Sequence, residues 1–205
     1  MLTVALPKGR IAQETLDIFE EIFGDDFKFD DRKLILQTPQ FKFLLVRNQD
    51  VATYVYRQAA DIGVVGLDTL EEQGLDVIRL LDLKKGVCNI AIGMKKGEKF
   101  DLSKPDLTVA TKMVNITERY FAERAVSADI IKLYGSIELA PLVGLADMIV
   151  DIVETGETMR QNGLEVVEQI MVSSTYLIAN KNSFLEKKNE ILDIYSKIEK
   201  VVYGS

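Results

Sequence analysis

The sequence predicts an α/β protein of two lobes, each built on a mixed, mostly parallel sheet. Three observations support that expectation. Short apolar or β-branched runs alternate with amphipathic stretches of helix length, the pattern of parallel strands covered by helices. The order strand, lysine, helix that begins at Leu2-Thr3-Val4-Ala5 returns at Leu107-Thr108-Val109-Ala110, and Ala60-Asp61 ahead of an apolar strand returns as Ala146-Asp147. Finally, 205 residues are many for one compact domain and suit two small lobes.

Residues 2–6 read as a strand, and residues 11–23 place Ile11, Leu16, Phe19, Ile22 and Phe23 at helical spacing. Residues 34–37 and 41–47 form two strands around the turn Thr38-Pro39-Gln40. A helix over 51–60 leads to a β-branched strand at 61–65, and a short helix over 67–73 stops at Gly74. Strands follow at 77–83 and 87–94, the second running into the charged turn Lys95-Lys96-Gly97-Glu98-Lys99. Further strands are expected at 107–110, at 130–133 and after Ala146-Asp147, and an amphipathic helix over 183–201 closes the chain. The chain should cross between lobes near 84–95 and return near 172–180. Lobe one is then 1–87 with 178–205, lobe two is 88–177, and the cleft between them is a usual place for a ligand.

Composition removes several function classes. With 47% apolar and 28% charged residues the chain has enough core material to exclude disorder. No apolar run reaches the length of a membrane span, and residues 1–8 lack an export signal, so a soluble, cytoplasmic protein is expected. Histidine is absent and Cys88 is the sole cysteine. That excludes His-based proton transfer, Ser-His-Asp and Cys-His catalysis, and zinc sites of four thiolates. Cys88 itself reads as a small buried residue. A net charge of −7 argues against generic nucleic-acid binding while leaving room for a local basic pocket. Chemistry here must run on carboxylates, cations, backbone amides or a metal held by oxygen.

The richest segment is Asp151-Ile152-Val153-Glu154-Thr155-Gly156-Glu157-Thr158. It leaves a buried strand and opens a helix, so its backbone N–H groups and two threonine hydroxyls suit a phosphate. Asp151 and Glu154 suit ribose hydroxyls or the Mg²⁺ on a diphosphate; an ordinary helix cap with Glu157 in the first turn is the plainer alternative. Leu6-Pro7-Lys8-Gly9-Arg10 ends a strand with two cations and a glycine, against the alternative of a solvated basic turn, and Arg32-Lys33 is a similar case. Thr111-Lys112 offers a hydroxyl and a cation at the equivalent strand end of lobe two, and Glu138 follows the strand at 130–133 in Gly135-Ser136-Ile137-Glu138. Gly63-Val64-Val65-Gly66 lacks the spacing of a dinucleotide fingerprint, so its glycines are read as serving close packing.

Leu6-Pro7-Lys8-Gly9-Arg10, Ala60-Asp61-Ile62-Gly63-Val64-Val65-Gly66, Lys132-Leu133-Tyr134-Gly135-Ser136-Ile137-Glu138-Leu139-Ala140-Pro141 and Asp151–Thr158 stand in the order found in the ATP phosphoribosyltransferase family, short form, which the chain resembles along nearly its whole length. The resemblance implies a fold like the type II periplasmic binding proteins. It also implies attack of adenine N1 of ATP on C1 of phosphoribosyl pyrophosphate, giving phosphoribosyl-ATP and pyrophosphate, the first step of histidine biosynthesis. Lobe one would serve ATP and lobe two phosphoribosyl pyrophosphate. By resemblance, Arg10 and Arg32 act as catalytic cations on ATP and the departing pyrophosphate, assisted by Lys8 and Gly9. Thr155, Gly156 and Thr158, with Glu157 in the same loop, surround the 5-phosphate; Asp151 and Glu154 take the ribose hydroxyls, and Glu138 lines the same site. Mg²⁺ would travel on the pyrophosphate, with no protein side chain assigned to it.

The sequence runs to Ser205 without the further histidine-binding domain of long-form members. The resemblance then implies a separate regulatory subunit, similar to a histidyl-tRNA synthetase core, in a hetero-octamer, with a dimer as one state of the chain alone. No nucleic acid or membrane partner is expected. Two other readings keep the same architecture: a non-catalytic receptor for a small phosphorylated ligand, and a phosphoribosyltransferase acting on another base.

Overall fold

Every strand of the computed structural model, which describes residues 1–30 and 32–204, belongs to one of two sheets. The chain divides into two units, Met1–Gly86 with Ser174–Ser205, and Val87–Ser173. The strand 175–179 therefore belongs with unit 1, although residues up to 177 were expected in lobe two. Its backbone pairs with strands of the first sheet on both sides, and that fixes its membership.

Unit 1 contains β1 (Leu2–Pro7), α1 (Arg10–Phe23), β2 (Ile35–Gln37), β3 (Phe41–Val46), α2 (Val51–Tyr56), β4 (Ile62–Gly66), α3 (Leu67–Gln73) and β5 (Ile78–Asp82). Unit 2 contains β6 (Cys88–Lys95), β7 (Thr108–Thr111), α4 (Val114–Glu123), β8 (Asp129–Lys132), α5 (Leu139–Leu142), β9 (Met148–Val153), α6 (Glu157–Gln161) and β10 (Leu164–Ser173). The chain returns to unit 1 as β11 (Thr175–Ala179), α7 (Lys181–Glu186) and α8 (Lys188–Tyr203). The first sheet has the order β2-β3-β1-β4-β11-β5 and the second β10-β6-β9-β7-β8. β1 is parallel to both β3 and β4, and β7 to both β8 and β9; β2, β11 and β6 run against their neighbours.

Both sheets are buried on two faces, which is why their strands read as continuous apolar runs. In unit 1, Leu2, Val4 and Leu6 of β1 and Ile62 and Val64 of β4 pack on one side with Phe19, Phe41, Phe43, Ile191 and Ile194. Ala5, Val65 and Ile178 face the opposite side with Val51, Val55 and Leu70. Phe19 meets Phe41 and Phe43 edge-on, with ring centroids 5.2 and 5.3 Å away. Gly63 has a steric reason: a Cβ there would lie 2.7 Å from Val55 Cγ2 and 3.2 Å from the Ala5 carbonyl oxygen, so its absence lets α2 seat on β4. In unit 2, Met148 and Val150 of β9 face Ile116 and Phe121 of α4, whereas Ile149 and Val153 face Ile137, Ala140 and Met159. Cys88 is buried and forms no disulfide.

The internal repeat has a structural basis. In unit 1, Thr3 N–H donates to Asp61 Oδ2 at 2.8 Å, and Asp61 N–H donates to the Thr3 carbonyl at 2.9 Å. In unit 2, Thr108 N–H donates to Asp147 Oδ2 at 2.9 Å, and Asp147 N–H donates to the Thr108 carbonyl at 3.0 Å. Each aspartate also pairs with a lysine: Lys187 Nζ lies 2.8 Å from Asp61 Oδ2, and Lys104 Nζ bonds Asp147 Oδ1. The repeated letters thus encode one device, an aspartate that locks the start of two parallel strands in register.

Two expected helices differ in extent. The helix at 51–60 ends at Tyr56 because Asn180 Nδ2 caps the carbonyls of Val55 (2.9 Å) and Tyr56 (3.1 Å), after which Gln58 turns left-handed at φ 60°. The closing helix at 183–201 is two helices, α7 and α8, parted at Lys187 (φ −120°, ψ 31°). Asn180 caps α7 as well, its Oδ1 accepting the Ser183 N–H at 3.0 Å. Among the described residues no helix is long and apolar enough to cross a membrane.

Candidate active site

In unit 2 the candidate residues collect at the C-terminal ends of β7 and β9. Asp151 sits in β9 on the face shared by Ile149 and Val153, and its side chain is 16% exposed. Its Oδ1 accepts the Ile152 N–H at 2.8 Å and lies 3.6 Å from Lys112 Nζ. Burial pushes the Asp151 carboxyl up and nearby Glu138 adds to that push; the Ile152 N–H and Lys112 oppose it, and the net value stays above the ordinary 3.8. A carboxylate kept partly out of water beside one cation holds chemical potential for a ligand that supplies hydroxyl donors. Lys112 is aimed by its neighbour. Thr111 is fully buried, its hydroxyl donating to the Val150 carbonyl at 2.7 Å while accepting the Met113 N–H at 2.9 Å.

The loop after β9 turns at Gly156, whose φ of 75° is the left-handed conformation that glycine adopts without strain. Thr155 Oγ1 accepts the Glu157 N–H at 3.3 Å, and the Thr155 carbonyl accepts from Arg160 at 3.2 Å. Glu157 is engaged inside α6: Arg160 lies 2.6 Å from its Oε2, and Gln161 donates to its Oε1 at 3.0 Å. The Arg160 bond holds its carboxyl below the usual range. Glu157 therefore shapes the loop through Arg160, while Glu154, Thr155 and Thr158 are exposed on it. Met159 points the other way and anchors α6 in the core.

In unit 1 the cations gather at one end of the first sheet. Lys8, Gly9 and Arg10 follow β1, and the Lys8 N–H donates to the Val46 carbonyl at the end of β3 (2.9 Å). β2 runs antiparallel to β3, so Arg32, which precedes β2, lies at that same end. Gly9 has φ 105° and ψ −153°, a conformation reserved for glycine, and no atom within 4 Å of a Cβ built on it. Its requirement is conformational, and it frees the turn between Lys8 and α1. Arg10 is 67% exposed and 3.5 Å from Glu14. Arg32 is also exposed and, with φ 62°, sits in the left-handed region that costs a side-chain-bearing residue about 1–2 kcal/mol. Arg47, directly after β3, joins this basic end; nothing in its residue type marks it, because the parallel pairing of β3 with β1 is what brings it there. Among the described residues no group of three or more Cys, Asp or Glu side chains is arranged to hold a metal.

The family model described as HisG: ATP phosphoribosyltransferase matches residues 47–200. An ATP phosphoribosyltransferase from Sulfurimonas denitrificans is 82% identical over 202 residues, covering 98% of this chain and 97% of its own length. One from Campylobacter fetus subsp. fetus is 65% identical, covering 98% and 100%. Among solved structures, the ATP phosphoribosyl transferase (HisG:HisZ) complex from Thermotoga maritima contains a chain with TM-score 0.88 and 31% identity, with both chains covered completely. The periplasmic aliphatic sulphonate binding protein SsuA from Escherichia coli has TM-score 0.63 at 10% identity, covering 97% of this chain and 71% of its own, a likeness of fold alone.

Proposed function

This chain belongs to the ATP phosphoribosyltransferase family, and from that premise we propose how its residues carry the transfer. The reaction moves the phosphoribosyl group of phosphoribosyl pyrophosphate to N1 of ATP, the first step of histidine biosynthesis. The N1–C1 bond forms with the adenine lone pair, the bond from C1 to the pyrophosphate oxygen breaks, and pyrophosphate leaves with that electron pair. No proton has to be removed from N1 for attack, so a chain without histidine meets no obstacle. Positive charge builds on the ribose and negative charge on the departing oxygens, so placed charges and alignment supply most of the rate.

The observation that carries the assignment is Asp151, mostly buried at a strand end, next to a cation and three residues ahead of the Glu154–Thr158 turn. Asp151 and Glu154 take the ribose hydroxyls; Thr155, Gly156 and Thr158 take the 5-phosphate through hydroxyls and backbone N–H groups. Glu138, at the start of α5, is near enough to Asp151 to act on its charge, and we assign it to the lining of the same site. In unit 1, Lys8, Arg10 and Arg32, with Gly9 between two of them, meet the phosphates of ATP and the departing pyrophosphate. Arginine suits that role because its fork is always charged and binds phosphate with two bonds. Mg²⁺ is expected as an ion carried by pyrophosphate oxygens, where it lowers the charge of the leaving group. A cytoplasmic location fits a biosynthetic enzyme with these substrates.

A steady-state assay with ATP, phosphoribosyl pyrophosphate and Mg²⁺, with pyrophosphatase present, tests the assignment through the absorbance of phosphoribosyl-ATP. Turnover that requires both substrates is expected. Absence of binding by either substrate would overturn it. The Thermotoga relative was solved as a HisG:HisZ complex, and we extend that arrangement here: a regulatory subunit in a hetero-octamer, with the chain alone active and insensitive to histidine. Inhibition of the isolated chain by low histidine would sink that part.

Arg32→Ala should lower kcat by about 100-fold, the scale of one removed transition-state donor, and weaken ATP binding by less. Turnover kinetics and calorimetric ATP titration separate the two effects. Unchanged kcat with unchanged ATP affinity would remove Arg32 from the mechanism.

A further inference from the structure

The two units share a strand-locking device, and where they stop sharing it is informative. In unit 1, β1 and β4 run in register with Val4 beside Ile62 and Ala5 beside Gly63. In unit 2, β7 and β9 run with Val109 beside Met148, Ala110 beside Ile149 and Thr111 beside Val150. One step further along β7 and β9 are Lys112 and Asp151, the pair found 3.6 Å apart. Counting the same distances from the shared aspartates and threonines in unit 1 gives Pro7 and Val65, and Val65 is fully buried. The architecture of a locked parallel pair is therefore completed in unit 1 without an ion pair at this level. Holding two strands together does not explain Lys112 opposite Asp151.

Nor is the pair a stability device by its energetics. A half-exposed lysine facing a mostly buried carboxylate at 3.6 Å gains little Coulomb energy and leaves the carboxylate desolvated. Glu138 adds a second negative charge near enough to act on Asp151. What the arrangement does provide is direction. Thr111, buried and bonded through its hydroxyl on both sides, fixes the turn from which Lys112 springs, and Lys112 and the Ile152 N–H both engage Oδ1. A backbone N–H bond and a nearby cation on the same oxygen, Oδ1, restrict the orientation of the carboxylate.

We propose that Lys112 is a positioning residue of the phosphoribosyl site, the cation that fixes the Asp151 carboxylate in the orientation that receives the ribose hydroxyls. This rests on the assignment of Asp151 to the ribose. Lys112 then acts through Asp151, so its removal should matter only while the carboxylate is present.

The test is a double-mutant cycle on the full chain, read by calorimetric titration of phosphoribosyl pyrophosphate with Mg²⁺ and by steady-state kinetics. Lys112→Met should weaken phosphoribosyl pyrophosphate binding about 10-fold and raise its KM by a similar factor, with the KM for ATP unchanged. Lys112→Arg, which restores a cation, should recover binding to within about threefold of the parent. In the Asp151→Asn background, adding Lys112→Met should produce no further loss. A full additional loss there would show Lys112 contacting substrate by itself and would overturn the inference while leaving Asp151 in its role. Parent-like binding by Lys112→Met would also overturn it. If Asp151→Asn alone binds phosphoribosyl pyrophosphate like the parent, the ribose assignment falls, and the role of Lys112 falls with it.

Discussion

Asp151→Asn is expected to lower kcat/KM for phosphoribosyl pyrophosphate by about 100- to 1,000-fold, the range seen when one electrostatic partner of a transition state is removed, and to do so without loss of stability. The two halves of this result come from the same cause. Burial raises the Asp151 carboxyl above its ordinary value of 3.8, and Lys112 and the Ile152 N–H only partly offset it. A carboxyl raised on folding binds protons more tightly in the native state than in the unfolded chain. Above that native value the ionised group costs stability, and below the ordinary value the cost is gone. The amide keeps the shape and removes the charge, so near neutral pH the variant should melt at or above the parent temperature. Calorimetry beside the kinetic assay checks both. A lower melting temperature would mean that the carboxylate stabilises the fold, and the loss of activity would then need another explanation.

Asp61→Ala should have the largest effect on stability. It leaves the partly buried Thr3 N–H without its acceptor, worth about 1–3 kcal/mol, and takes the partner from Lys187. The loss should appear in unit 1, as faster amide exchange at Thr3 and Asp61 and along β1 and β4. Asp147→Ala should do the same at Thr108, β7 and β9 in unit 2. Loss of protection in the wrong unit would show that the lock is not local. Burial raises both aspartates, but the Lys187 and Thr3 contacts for Asp61, and the Lys104 and Thr108 contacts for Asp147, more than reverse this, and both native values are lowered. Their contribution is complete above 3.8, the ordinary aspartate value, and is lost as pH falls through the lowered native values. The parent should therefore become acid-sensitive below about pH 4, and each variant should lose part of that sensitivity.

Much of this was legible in the residues. The helix α3 runs over Leu67–Gln73 as its pattern indicates, because Gly74 takes the left-handed position that ends it. The weak four-letter repeats proved to be a shared hydrogen-bond device, which letters alone could not reveal. β10 was illegible for a definable reason. Its pairing with β6 shifts between Val166 and Glu168 and again between Gln169 and Met171, so two irregularities break the alternation that marks a strand. The early end of α2 was equally hidden, because its cap, Asn180, arrives from far along the chain. Of the candidate site, the loop 151–158 and the cations at 8, 10 and 32 could be named from type and spacing. Glu157 could not be distinguished from its neighbours, since its engagement with Arg160 and Gln161 depends on rotamers. Lys112 could be named as a cation at a strand end, but its partner could not, because only the register sets it opposite Asp151.

The placement of β11 between β4 and β5 has a consequence for how the protein is made. A ribosome releases residues in order, so Ile78–Asp82 emerges long before Thr175–Ala179, the strand it must pair with. Until then the inner edge of β4 also lacks its neighbour. Residues Val87–Ser173, by contrast, are one uninterrupted stretch whose sheet needs nothing made later. During translation the second unit can therefore be finished while the first still waits with an apolar edge open, the condition in which nascent chains turn to chaperones.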